Sequence, residues 1–254
     1  MTIIDTHAHI DQLEDLPGAM ARAHEAGVSD IVAVSVDLPS MQKLLGLAAS
    51  CGQPKIHPAL GVHPGMVKPE AQQACFDFLR ANIKQACAVG ETGLDYWYKW
   101  VRKDEVERRK QKDSFAFHLD LAREFDLPVV IHSRGAWRDC LQMTVEAQVK
   151  RVLFHWYSGP LDILDKIVEA GFYVSTGPSV AYSPESRRAM GHAPIGKILV
   201  ETDSPVNYKD GEGSFMAEPK DVVRAWKALA QLKDLDEQQL LESLNANAKA
   251  FFRI

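Results

Sequence analysis

Two histidines one residue apart, His7 and His9, follow a short apolar run at the start of the chain. Side chains two apart on extended backbone leave the same face, so both imidazoles can turn toward one cation. Four further polar residues occupy the same kind of position. His132 closes PVVIH, His155 closes RVLFH, Glu91 closes CAVGE, and Asp203 follows ILVET. Each has an ordinary structural reading when taken singly. A strand-end histidine can simply satisfy a hydrogen bond, Glu91 between Gly90 and Gly93 can be a turn residue, and Asp203 can cap a helix. Six at equivalent positions suggest one shared purpose. Four imidazoles and two carboxylates make a nitrogen–oxygen donor set suited to Mg²⁺, Mn²⁺, Zn²⁺ or Ni²⁺. Glu91 could bridge two such ions about 3.5–4 Å apart, the spacing of two-metal hydrolytic sites.

Such residues meet only if the elements carrying them share one rim. Short β-branched runs alternate with segments of helical period along the whole chain. Strands are expected over 2–5, 30–36, 56–60, 86–90, 128–131, 151–154, 172–175 and 197–200. Helices are expected over 16–26, 73–83, 106–125, 161–170, 219–232 and 237–252, the last opened by Asp236 and Gln239 at capping-box spacing. Several strands are nearly continuous apolar runs (VVI, VLF, ILV), the mark of strands covered on both faces. Eight strand–helix units within 254 residues predict an α/β fold, a single-domain TIM (β/α)₈ barrel over residues 1–254. In that barrel the carboxyl ends of all strands gather at one mouth. An open doubly wound sheet would carry a Gly-rich turn after its first strand, where this chain has Thr6-His7-Ala8-His9. The polar, Gly-rich stretch 207–215 is expected to form a mobile edge of the site.

Composition excludes other classes. With 46% hydrophobic and 25% charged residues, the chain is ordinary globular protein. No apolar run reaches the roughly 18 residues of a membrane helix, and the start has no signal-peptide pattern. The four cysteines (Cys51, Cys75, Cys87, Cys140) are widely spaced and read as reduced thiols of a cytoplasmic protein. A net charge of −5 argues against a globally basic nucleic-acid binder. One segment departs from it: residues 99–112 hold seven basic side chains against three acidic ones, with Trp100 among them and Tyr96, Trp97 and Tyr98 just before. Cations there can meet phosphates while rings stack on unpaired bases, although mixed charge also suits a solvated helix face. Nucleophile elbows, P-loops and dinucleotide fingerprints are absent.

The stretches IDTHAHID, GVHP (61–64), GETGLDY (90–96), PVVIHSR (128–134), HWYSG (155–159) and ETDSP (201–205) come in the order found in TatD-family hydrolases. The resemblance runs from residue 3 to the last helix. It implies a TIM barrel of the amidohydrolase superfamily, with His7, His9, Glu91, His132, His155 and Asp203 as metal ligands. It also implies phosphodiester hydrolysis, with DNA as substrate and RNA a second choice, and no obligate protein partner is evident. Asp203 is the expected general base, since a carboxylate beside a cation can take a proton from water; ligation alone is its other reading. Glu201 either orients the ligands or faces outward. Substrate contacts are expected from His63, Arg134, Trp156 and Ser158. His63 could bind phosphate or merely be braced by Pro64, and Arg134 could clamp phosphate or pair with a nearby acid. Trp156-Tyr157 departs from the family's usual small residue and Phe, which leaves substrate choice open. A hydrolase of small amides, esters or lactones is the main alternative. A non-catalytic nucleic-acid or metal binder is a weaker one, having little use for six converging ligands.

Overall fold

The computed structural model describes residues 2–50, 52–211 and 213–254; Cys51 lies outside them. Eight parallel strands follow in sequence order: β1 (Ile3–Ala8), β2 (Val28–Val34), β3 (Lys55–Leu60), β4 (Ala88–Asp95), β5 (Val129–Arg134), β6 (Val152–Phe154), β7 (Tyr173–Thr176) and β8 (Ile198–Val200). Helices alternate with them: α1 (Leu16–Glu25), α2 (Leu38–Ser50), α3 (Pro69–Asn82), α4 (Glu105–Phe125), α5 (Trp137–Glu146), α6 (Leu161–Glu169), α7 (Pro184–His192) and α8 (Val222–Lys233). A ninth, α9 (Glu237–Phe252), ends the chain, and its Asp236 side chain accepts from the Gln239 amide at 3.0 Å. That bond is the predicted cap. Asp104 caps α4 in the same way, accepting from the amides of Val106 and Glu107.

The sheet closes where β1 meets the end of β8. The Asp203 amide donates to the His7 carbonyl at 2.8 Å, and the His9 amide donates to Ser204 at 2.7 Å. Inside the barrel, Ile4, Val32, Val34, Ala59, Ala88, Val130, Leu153 and Leu199 pack with Phe251 and Phe252 of α9. Those two rings plug the amino-terminal mouth, leaving the carboxyl mouth for polar residues.

Two expectations need correction. Stretch 207–215 is not a loose loop among its described residues. It forms a hairpin of β9 (Asn207–Asp210) and β10 (Gly213–Met216), anchored by the buried Tyr208, whose hydroxyl donates to the Thr202 carbonyl at 2.9 Å. The fourth strand runs to Asp95 rather than stopping at Gly90. Gly93 lets it continue: a Cβ there, at φ +139°, would lie 2.1 Å from the His132 carbonyl oxygen. Only glycine permits that approach of β4 to β5.

Candidate metal centre

The barrel brings all six predicted residues to one mouth. Glu91 is their centre, buried on β4, and its two carboxylate oxygens face different sets of nitrogen atoms. Oε2 lies 3.4 Å from His7 Nε2 and 3.2 Å from His9 Nε2. Oε1 lies 2.8 Å from His132 Nδ1 and 2.9 Å from His155 Nε2. Asp203 completes the first set, its Oδ1 at 3.4 Å from His7 Nε2 and 3.3 Å from His9 Nε2. Donors arranged tetrahedrally around an ion at ~2.0 Å stand about 3.3 Å apart, and the four contacts of that set match this spacing. The His7 Nε2 and Glu91 Oε2 atoms are buried without any hydrogen-bond partner, close to each other but misaligned for a bond. Buried polar atoms left so are costly unless something bonds both. A cation held between them would do so. The residues present therefore fit a divalent ion. His7, His9 and Asp203 form one such cluster, and His63, Glu91 and His132 form another.

Second-layer contacts hold these groups in place. His9 Nδ1 donates to the Val34 carbonyl at 3.2 Å, which turns its Nε2 inward. His132 Nε2 donates to Asp95 at 3.0 Å, and His155 Nδ1 donates to Glu201 at 3.3 Å. Glu201 also accepts from the Ser175 hydroxyl. Asp5, buried in β1, accepts from the Thr202 amide at 2.9 Å and its hydroxyl at 2.6 Å, tying β1 to the turn that presents Asp203.

The electrostatics follow from packing acids against imidazoles. Burial alone would raise the Glu91 carboxyl, but His155, His63 and His132 hold it well below its usual range. Asp203 is likewise lowered against burial by contacts with His7 and His9. Burial disfavours a charged His9, yet Asp203 and Glu91 carry it up to about 10. Asp95 and Glu91 raise His132 in the same way, and Glu91 and Glu201 raise His155 well above its usual value. The buried carboxylates thus favour charged imidazoles, and a divalent cation held by the same atoms would supply that positive charge instead.

The other candidates lie around this centre. His63 approaches Glu91 Oε1 at 3.7 Å and uses Nδ1 to accept from the Gly65 amide at 2.9 Å. Burial lowers its imidazole to about 3. Arg134 pairs with an acid, donating to Asp95 from Nε at 2.9 Å and approaching it with Nη2 at 2.8 Å. Its guanidinium lies over Trp97 and Tyr98. Trp156 is half-buried, with its indole N–H donated to the Ser179 hydroxyl at 2.9 Å and its ring against Tyr208. Ser158 lies farther out, lining a cleft with Trp97 and Trp137. In the basic segment, Arg108, Arg109, Lys110 and Lys112 pair with Glu105, Asp113, Glu107 and Asp139. Lys99, Arg102 and Lys103 are exposed and have no ion pair among the described residues. His57, near the start of β3, lies 2.7 Å from Asp30.

Sequence reasoning passed over Asp95 and Asp5 and left Glu201 undecided. Asp95 carried a signal: it lies four residues after Glu91 in one extended stretch, so alternation points both the same way. Ending the strand at Gly90 hid that relation.

Residues 4–253 match the family described as TatD related DNase. The chain belongs to that family. Human deoxyribonuclease TATDN3 is 26% identical, the match covering 98% of this chain and 94% of that one. The Escherichia coli protein YjjV, described as an uncharacterized metal-dependent hydrolase, is 27% identical over 99% of this chain and 98% of its own. The crystal structure of YjjV superposes with a TM-score of 0.89 at 26% identity, covering 99% of this chain and 98% of that one. A Saccharomyces cerevisiae amidohydrolase shares the fold at a TM-score of 0.84 and 14% identity, over 99% of both chains. This TatD-family protein is thus a metal-dependent hydrolase on an eight-stranded parallel α/β barrel. Among its described residues no helix is long and apolar enough to cross a membrane.

Proposed function

We propose that the chain is a deoxyribonuclease that hydrolyses phosphodiester bonds at unpaired DNA ends, exonuclease-like, using two divalent ions. The observation that supports this best is the division of Glu91: one oxygen toward His7 and His9, the other toward His132 and His155. A carboxylate shared in that way suits two cations rather than one. His7, His9 and Asp203 would hold the first ion, His132 and His155 the second, with Glu91 between them. When bound, such ions supply Lewis acidity that polarises the scissile phosphoryl group and makes a nucleophilic water available near neutral pH.

The chain's own residues do the rest. Asp203 Oδ1 is turned to His7 and His9, which leaves Oδ2 to accept the proton of the attacking water. Asp95 and Glu201 fix which imidazole nitrogen of His132 and His155 faces Glu91. His63, kept neutral by burial, can donate a hydrogen bond to a phosphate oxygen from Nε2, because its Nδ1 is already an acceptor. Lys99, Arg102 and Lys103 would attract the phosphate backbone to this side of the mouth. The described cysteines, Cys75, Cys87 and Cys140, are free thiols, in keeping with a cytoplasmic location.

The test gives purified protein Mg²⁺, Mn²⁺, Zn²⁺ or Ni²⁺ with end-labelled DNA and RNA oligonucleotides, beside chromogenic amides and esters. Stepwise shortening of single-stranded DNA that is lost in Glu91→Ala is the expected result. Cleavage that survives this substitution would remove the assignment. Turnover of the chromogenic panel alone would move it to small amides or esters.

A further inference from the structure

A cleft of about 540 Å³, lined by none of the six candidate ligands, has walls that are mostly aromatic and apolar. Trp97 forms one side and is 61% exposed. An exposed tryptophan is usually loose, but this one is held. Its amide donates to Asp95 at 2.9 Å, the Arg134 guanidinium lies 5.8 Å from its ring, and Trp137 meets it edge to face at 6.4 Å. Gly135 supports it from below: at φ +69°, a Cβ there would come within 2.4 Å of the indole. Gly159 forms bare floor under Trp137, where a Cβ would approach the ring to 2.9 Å. The charged residues of the lining are Glu185 and Arg188, of opposite sign.

A cleft with balanced charge gives a phosphate no advantage over water. A rigid aromatic wall with bare glycine backbone beside it favours a flat, neutral ring. Asp95 fixes the position relative to the chemistry, because the same carboxylate holds the Trp97 amide and the His132 ring. We propose that this cleft is the subsite for one unpaired nucleobase adjacent to the scissile phosphate, with Trp97 as its stacking platform. The proposal rests on the nucleic-acid reading of the substrate. A base inside a duplex already has both faces covered and cannot enter, so the cleft would make the protein select single-stranded ends. Every base has a stacking face, so it would not select sequence.

The test is a calorimetric titration of the full protein, in chelator so that nothing is cut, with tetrathymidylate and with its abasic analogue. Trp97 is exposed, so Trp97→Ala is compatible with folding, and Trp97→Phe keeps a stacking face. Expected are roughly tenfold weaker tetrathymidylate binding in Trp97→Ala, near-complete recovery in Trp97→Phe, and no difference between the variants for the abasic analogue. In turnover, kcat/KM for the oligonucleotide relative to bis(p-nitrophenyl) phosphate should fall by about the same factor, through KM. Unchanged tetrathymidylate affinity in Trp97→Ala, no binding by the parent protein, or equal binding of the abasic analogue would each overturn the subsite. Trp97-dependent binding without cleavage under any metal would keep the subsite and remove the nuclease reading instead.

Discussion

The two halves of the candidate metal centre are built by different means. At the barrel seam, His7, His9 and Asp203 belong to the same short segments whose backbone bonds join β1 to β8. Their positions are set by main-chain closure, and His7 makes no side-chain hydrogen bond at either ring nitrogen. Across the mouth, His132 and His155 are aimed by other side chains, the buried carboxylates Asp95 and Glu201. Glu91 serves both halves. The seam should therefore tolerate loss of distant polar residues and fail with its own ligands, while the other half should weaken when its supporting acids are changed.

Changing the seam is expected to have the largest effect. Asp203→Asn keeps the shape but removes the proton acceptor, and kcat should fall by about 10²–10⁴-fold on whichever substrate is turned over. A kcat within a factor of a few of the parent would show that Asp203 only ligates. The braced half is probed by Asp95→Asn and Glu201→Gln. Each should weaken one metal equivalent by about 10–100-fold, measured by chelator competition, and leave the other equivalent nearly untouched. Equal weakening of both would erase the distinction between the halves.

A histidine outside both halves gives a contrasting case. His118 is fully buried under β3, its Nε2 accepting from the Val62 amide at 3.1 Å and its Nδ1 donating to the Ser114 carbonyl at 2.7 Å. With no carboxylate partner, burial lowers it to about 4, the opposite direction to His9, His132 and His155. A histidine lowered in the folded state contributes no penalty above about pH 6.5, where both states are neutral. As pH falls below that value the unfolded chain gains a proton that the folded chain refuses until about pH 4. Between pH 7 and pH 5 the parent should lose about 2 kcal/mol more stability than His118→Gln in metal-free urea titrations. Parallel pH profiles would show that His118 takes up its proton in the fold as readily as in the unfolded chain. The smallest effect concerns the rim: reversing Lys99, Arg102 and Lys103 to Glu should weaken oligonucleotide binding about fivefold at low salt and lower the salt slope by about 1. An unaltered slope would take this cluster out of the interface.

Much of this was legible before any coordinates. Six polar residues at strand ends named the centre because barrel topology sends every such end to one mouth, whatever lies between them in the chain. The supporting acids were harder to read. Asp95 was hidden by ending β4 too early, at a glycine that instead permits a close strand contact, and Glu201 had no visible facing until β8 was seen to turn it inward beside Ser175. Arg134 offered a phosphate clamp or a structural ion pair, and only the register Asp95 opposite Arg134 settled its partner.

Alone, the chain's order of residues determined the eight-strand pattern, six polar candidates for the centre and the family, because hydrophobic period and local motifs are properties of short segments. The tertiary structure decided which Glu91 oxygen meets which imidazole, which acids stand behind those rings, and that Trp97 is a fixed wall. Those facts depend on strand register, on closure of the barrel and on close approaches at bare glycines, where residues tens or hundreds of positions apart come within a bond length or two of each other.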